Sequence, residues 1–162
     1  MFSSPLLRLA EVVLAEARAQ RLRIATAESC TGGLIGGLLT EIPGSSDVFE
    51  RGFIVYSNRA KSDMLDVPGD LIADMGAVSE PVARAMAEGA VANSNAHMAV
   101  AVTGVAGPGG GTALKPVGLV HIAAARENRS ILHEAHRFGD IGRSEVRMKT
   151  VEAALLLLQR ML

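Results

Sequence analysis

The chain has 162 residues, of which 49% are hydrophobic and 20% charged, and this composition is typical of a globular protein rather than of a disordered or fibrous one. Aromatic residues make up only 3% and the formal net charge is −1, so the chain has few rings on which bases could stack and no excess of cations for a phosphate backbone. We therefore expect no nucleic-acid partner.

Cysteine usage and the apolar runs indicate the compartment. Cys30 has no second cysteine with which to form an internal disulfide, as is common in proteins of a reducing environment. The N-terminal stretch carries Glu11 and Glu16 among its apolar residues and does not match a signal peptide. The longest apolar run, Ala153–Leu158, is too short to span a bilayer. We expect a cytoplasmic protein with no membrane partner.

Apolar residues alternate between helical and strand-like spacing along the chain. In chain order, the helical pattern predicts helices at 5–20, at Thr31–Thr40 after a strand–turn junction, in two short pieces over 58–75, from Ser79 to near Asn93, and over 143–162. Short apolar stretches predict strands at Arg23–Ala27, Phe49–Ser57, Met98–Thr103, Val117–Arg126 and Ile131–Phe138. The last two strands are expected to form an antiparallel hairpin.

This order of elements predicts the fold class. Early strands separated by helices are typical of a three-layer α/β/α sandwich, and the final hairpin makes the sheet mixed, mostly parallel and about five-stranded. No repeat or linker interrupts the pattern, so residues 1–162 are expected to form a single domain. Ligands of such sheets bind at the carboxyl ends of strands, and three unusual clusters follow predicted strands.

The first cluster, Ala27–Gly33, places a serine where a strand turns into a helix. A hydroxyl there is exposed at the sheet edge, and unpaired N–H groups of Thr31–Gly33 can hold an oxyanion or a phosphate. A simpler role is also open, because Ser29 or Thr31 can merely cap the helix. Cys30 is a second possible nucleophile, but no histidine is arranged to activate it, so a buried structural thiol is the preferred interpretation.

The second cluster follows the strand over 49–57 and comprises Tyr56, Asn58 and Lys61. A lysine can act as a general base when burial lowers its pKa, and Tyr56 can relay a proton or orient the serine. The alternative is a solvated surface lysine beside a half-buried tyrosine. Spacing along the sequence does not show whether Lys61 reaches Ser29.

The third cluster, Thr103–Gly111, contains five glycines and one proline in nine residues, so its N–H groups can surround a phosphate. It matches neither a Walker A loop nor a dinucleotide fingerprint, and a flexible hairpin connection is the alternative. Lys115 brings a positive charge near this loop. After the last strand, Asp140 is expected to cap the final helix, while Arg143 can bind phosphate or face water.

The histidines show no recognisable metal motif. His133 and His136 are three residues apart on a predicted strand and should point to opposite faces. The pattern His-Glu-x-x-His is absent, and the only cysteine has no potential ligand nearby. We expect neither a metal nor a cofactor.

Six segments taken together resemble one known family. They are Thr26–Gly33, Tyr56–Asn58 with Lys61, Gly76–Ser79, Thr103–Gly110, Lys115–Gly118, and Phe138–Asp140 with Arg143. In this order the chain resembles a stand-alone C-terminal domain of the competence/damage-inducible CinA proteins, the PncC type of nicotinamide-nucleotide amidohydrolase. The first and fourth segments are specific together, whereas a glycine-rich loop alone would be a weak match.

The resemblance implies an activity and a set of site residues. The activity is hydrolysis of nicotinamide mononucleotide to nicotinic acid mononucleotide and ammonia, in pyridine-nucleotide salvage, by a homodimer without a metal. Larger family members carry an N-terminal nucleotide-binding domain, which this chain is expected to lack. The expected catalytic residues are Ser29 as nucleophile, Lys61 as base and Tyr56 as its possible relay. The expected substrate contacts are Thr31, Gly32, Gly33, Asn58, Thr103, Gly104, Gly107, Gly109 and Arg143.

Two other classes of function are open at this stage. A non-catalytic nucleotide-binding module would use the same glycine loops without turnover. A structural or partner protein would use the apolar helix over 150–162 as a dimer face.

Overall fold

The computed structural model describes all 162 residues, with six helices, five strands and a short 3-10 turn at Ser45–Asp47. The helices are α1 (Ser4–Ala19), α2 (Leu34–Glu41), α3 (Asn58–Leu65), α4 (Gly69–Met75), α5 (Glu80–Ala92) and α6 (Arg143–Gln159). The strands are β1 (Ile24–Glu28), β2 (Phe49–Ile54), β3 (Met98–Gly104), β4 (Leu119–Arg126) and β5 (Leu132–Arg137). None of the helices has the length and apolar character needed to cross a bilayer.

The five strands form one mixed sheet in the order β2-β1-β3-β4-β5. Strand β1 is parallel to both of its neighbours, and β4 is antiparallel to both of its neighbours, so only β4 runs against the common direction. The predicted mixed, mostly parallel sheet and the β4–β5 hairpin are therefore confirmed.

Helices cover both faces of the sheet and create two separate cores, as predicted for a three-layer sandwich. Side chains of α1, α2 and α6 pack on one face, and those of α3, α4 and α5 on the other. Strand β3 supplies both cores, because Met98, Val100 and Val102 face the first while Ala99 and Ala101 face the second. The alanines leave room for α5 to pack closely against the centre of the sheet.

The residues predicted at the ends of helices and strands were only partly confirmed. Ser79 caps α5 as predicted, accepting a hydrogen bond from the amide of Val82 at 3.4 Å. The prediction for Asp140 was wrong, because Gly142 occupies the cap position of α6 and no side chain caps that helix. Strand β2 ends earlier than predicted, since Ser57 already caps α3.

The sheet register brings the three sequence clusters to one edge. Glu28 at the end of β1 is paired with Ile54 of β2 and with Val102 of β3. Because these three strands are parallel, the residues that follow each of them emerge at the same carboxyl edge. The clusters therefore meet in space although they are far apart in the sequence.

Candidate active site

A cavity of about 210 Å³ lies at this edge of the sheet. Its lining combines the residue after β1, the start of α3, the end of β3 and the start of α6, with Ser29, Lys61, Thr103 and Arg143 among the polar side chains. Val78 and Ala77 close one side. All three clusters predicted from the sequence contribute to this cavity.

Lys61 is buried and hydrogen-bonded to Ser29. Its side chain extends from the first turn of α3 into the protein, only 1% of the residue is exposed, and Nζ lies 3.1 Å from Ser29 Oγ. The remaining neighbours of Nζ are backbone carbonyl oxygens, of Val55 at 3.1 Å, Tyr56 at 3.4 Å and Ser57 at 3.5 Å. The alternative of a solvated surface lysine is excluded.

Burial lowers the pKa of Lys61 below its ordinary value of 10.5. A neutral amine has two N–H donors and one lone pair, and the site contains a hydrogen-bond partner for each of them. The two N–H groups can donate to the carbonyls of Val55 and Tyr56, which leaves the lone pair facing the hydroxyl of Ser29. The arrangement is that of a serine with a general base in hydrogen-bond contact.

Glu28 holds the turn that presents Ser29, a role that the sequence reading did not assign. Its carboxyl group is 1% exposed and accepts hydrogen bonds from Thr31 Oγ1 at 2.6 Å, Ile35 N at 2.9 Å and Gly36 N at 3.0 Å. The N-terminus of α2, where a substrate anion was expected, is thus filled by the protein's own carboxyl group. A glutamate within a buried apolar strand was the available signal, because such a group needs several partners.

Arg147 of α6 fixes the same turn from the other side. Its Nε donates to the carbonyl of Cys30 at 3.0 Å and its Nη2 to the carbonyl of Thr31 at 3.2 Å. Both acceptors lie more than a hundred residues away along the chain. No local sequence signal could have identified this contact.

None of the predicted substrate contacts Thr31, Gly32 and Gly33 lines the cavity. The Thr31 side chain is fully buried against Glu28 and does not line the cavity. The amide of Gly32 donates to the carbonyl of Ser29 at 3.1 Å. The amides of Thr31, Gly33 and also Cys30 donate to no acceptor in the protein, and among these residues only Cys30 lines the cavity.

Tyr56 and Arg143 form the rim of the cavity. The Tyr56 hydroxyl accepts a hydrogen bond from Arg143 Nη2 at 3.1 Å and makes no hydrogen bond with Ser29 or Lys61. The expected relay through this hydroxyl therefore has no hydrogen-bonded path, and it is the backbone carbonyl of Tyr56 that contacts Lys61. Arg143 also donates to the carbonyl of Gly107 at 2.7 Å, and Asn58 lines the cavity beside it.

The third cluster shapes the cavity mainly through its backbone. Thr103 Oγ1 donates to the carbonyl of Ala77 at 2.9 Å, which fixes the connection between α4 and α5 to the end of β3. Gly104 lines the cavity, and a Cβ there would lie 2.9 Å from the carbonyl oxygen of Leu119. Gly107 contributes its carbonyl to Arg143, whereas Gly109 is exposed and outside the cavity.

Cys30 has the properties of a structural thiol. It is 6% exposed and belongs to the first core, and burial raises the pKa of its thiol to about 12. A thiol with such a pKa is protonated at neutral pH and is a poor nucleophile. His133 and His136 lie on opposite faces of β5, and no three His, Cys, Asp or Glu side chains converge as a metal site would require.

Comparison with known proteins identifies relatives over nearly the whole chain. The family model of the CinA C-terminal domain matches residues 6–162. A CinA-like protein of Syntrophobacter fumaroxidans is 50% identical over 154 residues, which is 95% of this chain and 36% of the relative. A CinA-like protein of Synechococcus sp. (strain RCC307) is 53% identical over 152 residues, with 93% and 36% covered. The chain thus spans about a third of the length of these curated relatives.

Solved structures have the same fold. The competence/damage inducible protein CihA from Agrobacterium tumefaciens superposes with a TM-score of 0.96 at 52% identity, covering 98% of this chain and 96% of that one. A CinA superfamily protein from Escherichia coli superposes with a TM-score of 0.92 at 29% identity, covering 100% and 94%.

Proposed function

Because the chain belongs to the family of the CinA C-terminal domain, we propose that it is an amidohydrolase that converts nicotinamide mononucleotide and water to nicotinic acid mononucleotide and ammonia. The observation that carries this proposal is the 3.1 Å contact between Lys61 Nζ and Ser29 Oγ within a cavity. A serine beside a buried amine is a nucleophile–base pair suited to acyl transfer.

The reaction proceeds in two steps that use the same two side chains. Lys61 accepts the Ser29 proton as Oγ attacks the carboxamide carbon, and it then returns that proton to the departing nitrogen as the C–N bond breaks. Ammonia leaves and an ester with Ser29 remains. Lys61 next removes a proton from water, which attacks the ester, releases the carboxylate product and restores the serine hydroxyl.

Charge that develops on the substrate has identifiable partners. The amide of Cys30 directly follows the nucleophile, lines the cavity side of the turn and has no acceptor in the protein, so it is our candidate donor to the oxyanion. Arg143 keeps three N–H donors free of protein partners and lies at the uncapped N-terminus of α6. A cation at a helix N-terminus suits a phosphate group.

The size of the cavity supports a placement in which the amide-bearing ring lies inside it and the phosphate lies outside. Typical ligand pockets have volumes of roughly 300–1,000 Å³, so a cavity of about 210 Å³ fits a ring with its carboxamide rather than a whole nucleotide. The ring would lie against Ser29, and the ribose phosphate would extend past the Tyr56–Arg143 rim.

The test is ammonia release from nicotinamide mononucleotide by the purified chain and by two neighbouring variants. Ser29→Ala should retain the fold and lose turnover, because the nucleophile is removed. Cys30→Ala is the matched control and should retain most of the activity, because the protonated thiol takes no part and the backbone amide is kept. Both variants should keep the circular dichroism spectrum of the original chain.

Three outcomes would contradict the proposal. Near-normal turnover by folded Ser29→Ala would remove the serine as nucleophile, and loss of activity only in Cys30→Ala would assign that role to the thiol. Binding of the nucleotide with no ammonia from the unmodified chain would show a non-catalytic binding module instead.

A further inference from the structure

A second and larger cavity lies behind the wall of the first. It has a volume of about 620 Å³ and is bounded by the start of α5, strands β4 and β5, and the part of the β3–β4 loop that contains Leu114 and Lys115. Val78 lines both cavities, so the Met75–Ser79 segment separates them. The reaction proposed for Ser29 makes no use of this space.

Two of the three lysine and arginine side chains in the second cavity, Lys115 and Arg137, lack acidic partners. Its one carboxylate, Glu80, is already paired with Arg84 at 2.8 Å. The ammonium group of Lys115 donates only to the carbonyl of Met75 at 2.7 Å and pairs with no acidic residue. Arg137 pairs with Leu119 in the sheet, while its exposed side chain makes neither a hydrogen bond nor an ion pair within the chain. Lys115 and Arg137 thus present uncompensated positive charge, and a guanidinium with all its donors free matches the oxygens of a phosphate.

A pair of hydrogen-bonded histidines gives the cavity an acceptor as well. His133 Nδ1 lies 3.4 Å from the carboxylate of Glu80, and His133 Nε2 lies 2.9 Å from His121 Nδ1. When the proton of neutral His133 is on Nδ1, which faces the carboxylate of Glu80, the Nε2 lone pair of His133 accepts from His121. This leaves a lone pair on Nε2 of His121, which lines the cavity. Burial lowers the pKa of both histidines, which favours these neutral forms.

The remaining walls are apolar and partly open to solvent. Leu114 is 85% exposed and Met75 is 46% exposed, and both line the cavity together with Val78. Apolar side chains beside an imidazole provide a surface for a flat ring. The cavity therefore combines three features: free cations, a hydrogen-bond acceptor and an apolar wall.

We propose that this second cavity binds a small molecule that carries a phosphate group on a flat ring system, of the class of nucleoside monophosphates. Arg137 and Lys115 contact the phosphate, His121 accepts a hydrogen bond from the ring, and Leu114 and Met75 cover its apolar face. The site is separate from the one at Ser29 and does not depend on the activity proposed there.

The test uses adenosine 5′-monophosphate, which has no carboxamide and cannot be deamidated at Ser29 by the proposed reaction. Calorimetric titration should show binding that weakens roughly tenfold or more in Arg137→Ala, the size expected for a lost charge-assisted contact. Arg8→Ala, which removes an exposed arginine of α1, is the matched control and should bind as the original chain does. Arg143→Ala should also retain binding, and Arg137→Ala should retain its rate of ammonia release.

Adenosine and inorganic phosphate complete the experiment. Both should bind more weakly than the monophosphate, since each lacks one half of the recognised group. Equal binding of adenosine would overturn the role of the cations, and equal binding of inorganic phosphate would overturn the role of the apolar wall. Binding lost in Arg143→Ala but kept in Arg137→Ala would move the ligand to the Ser29 cavity.

Two further outcomes would overturn the proposal. One is the absence of binding by the unmodified chain at millimolar monophosphate. The other is a dimer, measured by sedimentation, that covers this cavity and dissociates in Arg137→Glu. In that case the face would be an interface between two copies of the chain.

Discussion

The amine of Lys61 contacts the hydroxyl of Ser29, and burial keeps the pKa of this amine below the ordinary lysine value. Turnover should therefore rise with pH through an apparent pKa lower than 10.5. Lys61→Arg should be nearly inactive at every pH, because a guanidinium retains its proton. Ammonia release measured across pH for both proteins tests this. If Lys61→Arg stayed active with an unchanged profile, the lysine would only provide charge and the base would lie elsewhere.

The same residue should make the stability of the protein depend on pH. The folded pKa is lower than that of the unfolded chain, so the unfolded state binds more protons between the two values. The contribution of Lys61 to the free energy of unfolding therefore increases as pH rises from the folded pKa toward 10.5, and it is reduced at lower pH. Lys61→Met should lack this increase, whereas Lys149→Met, at an exposed position on α6, should keep it.

Urea unfolding at a series of pH values measures that difference. The gap in free energy of unfolding between the original chain and Lys61→Met should change in favour of the original chain as pH rises. A gap that stays constant would mean that the pKa of Lys61 is the same in the folded and unfolded states.

At the scale of elements, Glu28 joins β1 to α2 by capping the helix with a strand residue. Glu28→Gln replaces one acceptor oxygen by an amino group that faces a donor, so the free energy of unfolding should fall by about 1–3 kcal/mol. Turnover should fall too, because the turn between the two elements carries Ser29. Glu88→Gln, at an exposed position on α5, is the control for chemical denaturation. Equal stability of the two variants would show that the capping contacts contribute little.

Helix α3, which carries Lys61, is held against α5 at a glycine. A Cβ at Gly89 would lie 2.0 Å from the carbonyl oxygen of Leu65, at the end of α3. Gly89→Ala should therefore lower the free energy of unfolding by about 1–3 kcal/mol through overpacking, although alanine favours helices. Gly69→Ala, where no atom lies within 4 Å, should be neutral or slightly stabilising. Thermal unfolding of the pair tests the contact, and a stabilised Gly89→Ala would contradict it.

For the whole molecule, local patterns were enough to predict the elements and the layers. Apolar periodicity located all of the helices and strands, and the turn after Arg126 indicated the antiparallel hairpin. The position of β1 between β2 and β3 could not be read from local spacing, because it depends on packing between distant segments. It is this placement that brings Val55 and Lys61 to Ser29.

Several of the residues that line the candidate site were named from the sequence, whereas most of their contacts were not. Ser29, Lys61 and Arg143 were predicted site residues and all three line the cavity. The contact between Lys61 and Ser29 joins residues 32 positions apart, so it could not be read from local spacing. The roles of Glu28 and Arg147 became visible only in three dimensions, since a buried carboxyl group and a distant arginine are defined by their partners. The Tyr56 hydroxyl was assigned to the serine, yet it contacts Arg143.

The Met75–Ser79 segment is a partition one residue thick at Val78, held by Thr103 on one side and by Lys115 on the other. A ligand in one cavity that displaces Val78 would change the shape of the other cavity, because Val78 lines both. Such an effect is reciprocal, because the factor by which a first ligand alters the affinity for a second equals the factor in the reverse direction. Heterotropic coupling between ligands of the two cavities would then pass through the side chain of Val78, which lines both.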